Sequence, residues 1–186
     1  MTKKAVFLDR DGTINKEVDN LDDSNQLRLL SGVADAIKKL KKLGFLVVIV
    51  TNQPVVARGL LSEEEVDSIH ELLIKRLRKK GANVDGIYYC PHHPEATLKE
   101  YRKKCKYRKP GAGMLLKAAK DFNIDLKRSF IVGDRTADIL AGKRAGAKTI
   151  LVNTGYGGED KKYIVKPEFV ANNLLEAVKV IKKNER

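Results

Sequence analysis

Five short apolar runs, each followed by a polar turn and then a stretch of helical periodicity, constrain this chain more than any other feature. Residues 4–9, 45–50, 84–89, 129–132 and 148–152 read as strands. The run from Phe45 to Val50 is apolar at every position, the pattern of a strand covered on both faces. Between the strands lie amphipathic helices. One is predicted to start from Ser31 as N-cap, with Val33, Ile37 and Leu40 on one face and Gly44 as its stop. A second starts at the capping box Ser62 to Glu65, carries Val66, Ile69, Leu73 and Leu77, and ends at Gly81. Further helices are predicted over about 111–122 and 136–145. A short edge strand at Phe169 and Val170 precedes a last helix through Leu175, Val178 and Ile181. Strand–helix alternation of this kind predicts an α/β fold: a parallel sheet, helices on both faces, right-handed crossovers.

A chain of 186 residues matches one domain. Two excursions interrupt the alternation, one over 13–30 and one over 90–110. Both are too short for a large cap domain, so a single domain over 1–186 is expected, with a Cys/His loop inserted at 90–109. The longest apolar run has six residues, against the roughly 20 that a membrane helix needs. The apolar stretch Ala5 to Leu8 is too short for a signal peptide. These readings predict a cytoplasmic protein without membrane contact, and a monomer. Lys and Arg total 37 against 24 Asp and Glu, a net charge of +13. That balance favours anionic partners, and it also fits a solvated lysine-rich surface. Two cysteines, Cys90 and Cys105, do not make a disulfide scaffold.

Ligands of parallel α/β sheets bind at the carboxyl ends of the strands. There the first strand runs into Asp9, Asp11, Gly12 and Thr13, and the second into Thr51, Asn52 and Gln53. The long loop ends in Arg108, Lys109 and Pro110, and the fourth strand in Gly133 and Asp134, with Asp138 four residues on. Crowded carboxylates repel one another unless a cation sits among them. Two or three carboxylates with several waters suit Mg²⁺. An ionised aspartate beside such a cation can attack phosphorus, with Lys109 stabilising the charge on the phosphoryl group and Thr51 offering a hydroxyl to its oxygens. Asp11, two residues past Asp9, suits a general acid and base. A cap-and-turn role for Asp9 and Asp11 explains one motif, not four at successive strand ends.

Asp9-Arg-Asp-Gly-Thr13, Thr51-Asn-Gln53, Lys109-Pro110 and Gly133-Asp134 with Asp138 resemble the four ordered motifs of the haloacid dehalogenase superfamily of phosphohydrolases. The resemblance implies a Rossmann-like sheet, Asp9 as nucleophile through an aspartyl-phosphate, and Asp11 as general acid/base. It also implies Mg²⁺ held by Asp9, the Asp11 backbone carbonyl and Asp134, with Asp138 behind them. Ile14-Asn15, Ala57-Arg58-Gly59 and Cys90-Pro-His-His-Pro94 through Cys105 to Pro110 are similar to one branch of that superfamily. The branch contains the D-glycero-D-manno-heptose-1,7-bisphosphate 7-phosphatases and the histidinol-phosphate phosphatases, and its first two motifs resemble polynucleotide 3′-phosphatases. The run Thr51 to Gly59 is more similar to the heptose enzymes. A sugar bisphosphate substrate follows, touched by Asn52, Gln53, Arg58, Arg108 and Arg135. Histidinol phosphate and polynucleotide 3′-ends are the alternatives. Nucleic acid is disfavoured because the basic runs at 75–80 and 99–109 lack a platform of stacking aromatics.

In the heptose enzymes of that branch the inserted loop binds a structural zinc through Cys-x-His and Cys-x-Cys. Cys90, His92 and Cys105 align with three of the ligands, and Tyr107 stands where the fourth cysteine would be. Three outcomes are open: zinc completed by His93 or water, zinc with the Tyr107 phenolate, or no zinc.

Overall fold

The computed structural model describes residues 2–185. Its six strands are β1 Ala5–Leu8, β2 Leu46–Asn52, β3 Gly86–Cys90, β4 Phe130–Gly133, β5 Lys148–Val152 and β6 Phe169–Ala171. They form one sheet in the order β3-β2-β1-β4-β5-β6, and every neighbouring pair is parallel. The sheet grows outward from β1 in both directions, so a crevice opens beyond the carboxyl ends of β1 and β4. Leu8 is in register with Ile49 on one side and Val132 on the other. Asp9 therefore leaves the sheet level with Gly133, and its N–H donates to the Val132 carbonyl at 3.0 Å.

The period-2 alternation within each strand sorts the core into two layers. Val6, Leu8, Val47, Ile49, Val132 and Ile150 face α1 Val33–Lys42, α3 Glu63–Lys79 and α6 Leu174–Asn184. Ala5, Phe7, Val48, Val50 and Ile131 face α4 Gly113–Phe122 and α5 Thr136–Ala145. Each fully buried Leu, Ile or Phe is worth about 1.5–3 kcal/mol of transfer free energy. Neither excursion builds a layer of its own. The first contains one 3₁₀ turn, Ser24–Gln26, and the second another, Lys99–Tyr101. Among the described residues no helix is long and apolar enough to cross a membrane.

Three local details differ from the sequence expectation. The N-cap of α1 is Gly32 rather than Ser31, with φ 76°. That left-handed φ favours a residue without a Cβ, and a Cβ there would also meet the movable Leu175 Cδ1 of α6 at 2.3 Å. β2 continues through Thr51 and Asn52, which fixes both polar residues by the ladder with β3. A short helix, α2 Pro54–Ala57, follows at once with proline in its first turn. The capping box of α3 is present: Ser62 Oγ accepts from the Glu65 N–H at 3.2 Å, and Glu65 Oε2 accepts from the Ser62 N–H at 2.7 Å.

Candidate active site

Four strand ends and one loop meet over β1. Lys109 Nζ reaches in from the end of the inserted loop and is buried with its three hydrogens matched. It lies 2.8 Å from Asp9 Oδ1 and 2.6 Å from Asp138 Oδ1, and donates to the Val50 carbonyl at 2.8 Å. Burial works against the ammonium, but Asp138 and Asp9 outweigh it and raise its pKa. The backbone of Lys109 is held by Asn52: Oδ1 accepts from the Lys109 N–H at 2.9 Å and Nδ2 donates to its carbonyl at 3.0 Å. Asp9 Oδ1 also accepts from the Arg10 N–H at 2.7 Å. These contacts fall on Oδ1, so Oδ2 is the oxygen left for chemistry. Burial, with Asp138 and Asp11 nearby, pushes Asp9 up to about 6 despite Lys109.

Asp11 is held differently. Its Oδ1 accepts from Arg10 Nε at 3.1 Å and Asn15 Nδ2 at 2.8 Å; its Oδ2 accepts from Arg10 Nη2 at 2.8 Å and Gln53 Nε2 at 3.0 Å. Burial would raise its pKa, but Arg10, Asn15 and Gln53 outweigh burial and lower it. Gln53 Nε2 also donates to Thr51 Oγ1 at 2.8 Å, and Gln53 Oε1 accepts from Arg10 Nη2 at 2.9 Å. Thus Asn52 and Gln53, read from sequence as substrate contacts, have their amides turned toward protein partners.

Asp134 lies across from Asp9. Its Oδ2 accepts from the Tyr156 N–H at 2.8 Å, in the loop after β5. That loop closes on it: a Cβ at Gly12 or at Gly155 would meet Asp134 Oδ2 at 2.3 Å or 2.2 Å. Burial and the charges of Asp9 and Asp138 push Asp134 up to about 8. Its Oδ1 is buried without a hydrogen-bond partner. Carboxylate oxygens of Asp9, Asp134 and Asp138 lie within 4.8 Å of one another. Asp138 spends its oxygens on Lys109 Nζ and, through Oδ2, on the Arg135 N–H at 3.0 Å. An orphaned buried oxygen beside a second carboxylate, both driven toward protonation by burial and then by repulsion, fits a hard divalent cation between Asp9 and Asp134.

A cavity of about 550 Å³ opens over these groups. Cations line its mouth: Arg58, Lys104, Arg108, Arg135, Arg144 and Lys162. Arg135 lies 3.4 Å from Glu17 Oε2 and 3.9 Å from the Tyr156 ring centroid. Burial, opposed by Arg135, pushes Glu17 up to about 7. Arg58 donates to Asn20 Oδ1, and Arg108 Nη1 to the His92 carbonyl at 3.1 Å.

The inserted loop carries the second cluster. Ligand atoms of Cys90, His92 and Cys105 lie within 4.8 Å of one another, with Cys90 Sγ 3.7 Å from His92 Nδ1. Burial pushes the Cys90 thiol up to about 12. Tyr107 packs against the apolar layer under α4, and His93 Nδ1 accepts from the Glu95 N–H at 3.1 Å. The cluster offers three donors, one fewer than the four of a closed structural zinc site.

Carboxylates of this kind, ordered by a buried lysine at the carboxyl edge of a parallel sheet, define a phosphohydrolase site of the haloacid dehalogenase type. Comparison with known proteins carries this further. A family model described as HAD-hydrolase-like matches residues 106–177. The D-glycero-beta-D-manno-heptose-1,7-bisphosphate 7-phosphatase of Pasteurella multocida is 44% identical over 182 residues, 97% of each chain. Its counterpart in Escherichia coli K12 is 39% identical over 189 residues, 98% of this chain and 95% of that one. The crystal structure of D,D-heptose 1,7-bisphosphate phosphatase from B. bronchiseptica, complexed with magnesium and phosphate, superposes with a TM-score of 0.86 at 31% identity, covering 97% of this chain and 98% of that one. The chain belongs to the haloacid dehalogenase-like hydrolases, in the family of heptose bisphosphate phosphatases.

Proposed function

We propose that this protein is a Mg²⁺-dependent phosphomonoesterase that removes the 7-phosphate of D-glycero-D-manno-heptose 1,7-bisphosphate. The observation that carries the reading is Asp9: a buried carboxylate with Oδ1 fixed by Lys109 and Oδ2 unbonded, under a cation-lined cavity. Magnesium held by Asp9, the Asp11 backbone carbonyl and Asp134 would lower the repulsion between the dianionic phosphate and the nucleophile. Asp9 attacks phosphorus as the bond to the sugar oxygen breaks, giving an aspartyl-phosphate and the sugar alcohol. Asp11 takes up a proton as one of its amide donors, Asn15 or Gln53, gives way, and supplies that proton to the leaving oxygen. The resulting carboxylate takes a proton from the water that then attacks phosphorus, which releases phosphate and restores Asp9. Lys109 balances the charge of Asp9 and Asp138 throughout. Thr51 directs its hydroxyl to a phosphoryl oxygen, while Asn52 and Gln53 act by holding Lys109 and Asp11.

Arg58, Arg108 and Arg135 on the cavity wall suit the second phosphate, and the bisphosphate for which the relatives are named has two. Three donors in the inserted loop suit one zinc ion, which would hold the segment that delivers Arg108 and Lys109. The test is phosphate release from a panel: heptose 1,7-bisphosphate, histidinol phosphate, a 3′-phosphorylated oligonucleotide and small sugar phosphates. Heptose bisphosphate with the highest kcat/KM, lost in EDTA and regained with Mg²⁺, is the expected outcome. A higher kcat/KM on either alternative ester, or indifference to EDTA, overturns the reading.

A further inference from the structure

Arg10 is the largest fully buried side chain among the described residues, and it lies between the two aspartates assigned to chemistry. A guanidinium at 1% exposure is costly unless all its donors are matched. Nε and Nη2 grip both oxygens of Asp11 in a fork, and Nη2 also reaches Gln53 Oε1. The remaining nitrogen, Nη1, is 3.2 Å from His70 Nε2. Beside a guanidinium, which can only donate, His70 Nε2 must be the acceptor. The ring is therefore neutral, with its proton on Nδ1. Nothing in the reaction as described above uses His70. It sits on the buried face of α3 at 5% exposure, edge-on to Tyr89 with ring centroids 5.2 Å apart.

We propose that Arg10 and His70 are positioning residues for the general acid/base: His70 locks the Arg10 fork, and the fork fixes the rotamer from which Asp11 meets the sugar oxygen. A fork bound through two nitrogens to two oxygens sets the plane of the carboxylate as well as its place. Losing the His70 acceptor frees Nη1 and lets the fork turn, so Asp11 loses its plane while Asp9, Lys109 and Asp134 keep theirs. The inference rests on the phosphatase reading above.

The test exploits the leaving group. An alkyl phosphate such as a sugar phosphate needs its departing oxygen protonated, whereas p-nitrophenyl phosphate releases an acidic phenol that leaves unaided. The constant kcat/KM covers only the steps through departure of that group. We compare wild type with His70→Phe, His70→Gln, Arg10→Met and Arg10→Lys. His70→Phe keeps the ring packing on Tyr89 and removes the acceptor; His70→Gln keeps a terminal acceptor at about the reach of Nε2. On the best sugar phosphate, kcat/KM should fall about tenfold in His70→Phe and more in Arg10→Met, out of the roughly 100- to 10,000-fold that acid–base help supplies. The fall should lie in kcat with little change in KM. On p-nitrophenyl phosphate, kcat/KM should stay within about threefold of wild type. His70→Gln should recover most of the loss, and Arg10→Lys, which has no fork, should not.

Equal losses on both esters, or no difference between His70→Phe and His70→Gln, overturn the positioning role while leaving the phosphatase reading intact. If Arg10→Met fails to fold, the two His70 variants decide the matter. Wild type that releases phosphate from neither ester sinks the phosphatase reading and this inference with it.

Discussion

Two clusters of metal-binding residue types lie at the carboxyl ends of the strands, and they are built in opposite ways. The aspartate cluster hangs from the ends of β1 and β4 and the start of α5, and each of its carboxylates has a fixed partner: Asp9 has Lys109, Asp138 the Arg135 N–H, Asp134 the Tyr156 N–H. The thiol–imidazole cluster begins at the last residue of β3 but draws its other donors from an irregular loop, and it offers three donors where a closed zinc site wants four. Charge repulsion organises the first, and an incomplete donor count leaves the second open. A site whose groups repel needs a cation; a site whose groups are neutral when empty does not. The buried Cys90 thiol, with its pKa pushed up to about 12, can stay protonated at no electrostatic cost.

That contrast can be broken first at Asp9. Asp9→Asn should lower kcat at least about a thousandfold, since the amide is a far poorer nucleophile, while Tm changes little. Residual turnover above a few per cent would remove Asp9 from its role. Next comes the counter-charge. Lys109→Met leaves Asp9 and Asp138 buried and unpaired, a loss on the order of 3–5 kcal/mol, seen as a Tm lower by roughly 10 °C together with lost activity. An unchanged melting curve would show that the aspartates do not depend on Lys109.

Acid probes the scaffold behind the aspartates. Burial first, and Arg10 second, push His70 down to about 3 from the ordinary 6.5. The folded ring resists protonation, so its contribution to stability is complete above 6.5 and is lost as the pH falls from there toward 3. Denaturation midpoints measured across that range should slope down with acid, and His70→Gln should flatten the slope. A slope that His70→Gln leaves unchanged would assign the acid sensitivity to other groups. The inserted loop should answer more weakly. Cys105→Ser should reduce bound zinc by elemental analysis and lower Tm by about 2–6 °C, with a partial loss of activity. Wild type purified without zinc would leave the loop as a purely packed element. Tyr107→Cys should do the reverse, adding a donor and raising both zinc retention and Tm by roughly 1–3 °C.

Asp9 and Asp134 were legible in the sequence because each stands at the end of an apolar run, and apolar runs that alternate with helices become parallel strands whose ends converge; Lys109 was legible because Pro110 sets it just before a helix start. What the motifs did not disclose is how the groups are held. Arg10 sits between two aspartates, where a lone arginine in a turn normally points to water. His70 falls four residues after Val66 and three before Leu73, on the buried stripe of α3. That placement was a signal that it is buried, and its partner lies 60 residues away. Gly155 and Tyr156 close on Asp134 through backbone atoms, which leave no trace in side-chain patterns. Asn52 and Gln53 had the right location and an unreadable orientation, because an amide beside a phosphate pocket serves protein or substrate equally well. Ser31 lost the cap of α1 to Gly32, whose φ of 76° suits a residue without a Cβ.

The double hydrogen bond from Asn52 to the backbone of Lys109 bears on how such a molecule changes over generations. It clamps the far end of the inserted loop to β2, and Cys90 already anchors the near end to the sheet. Whatever lies between two fixed ends can be rewritten, because lengthening a loop costs little: each doubling adds only about 0.6 kcal/mol of closure entropy. The segment between those ends can therefore change while the ammonium of Lys109 stays beside Asp9 and Asp138, held there by a single asparagine side chain.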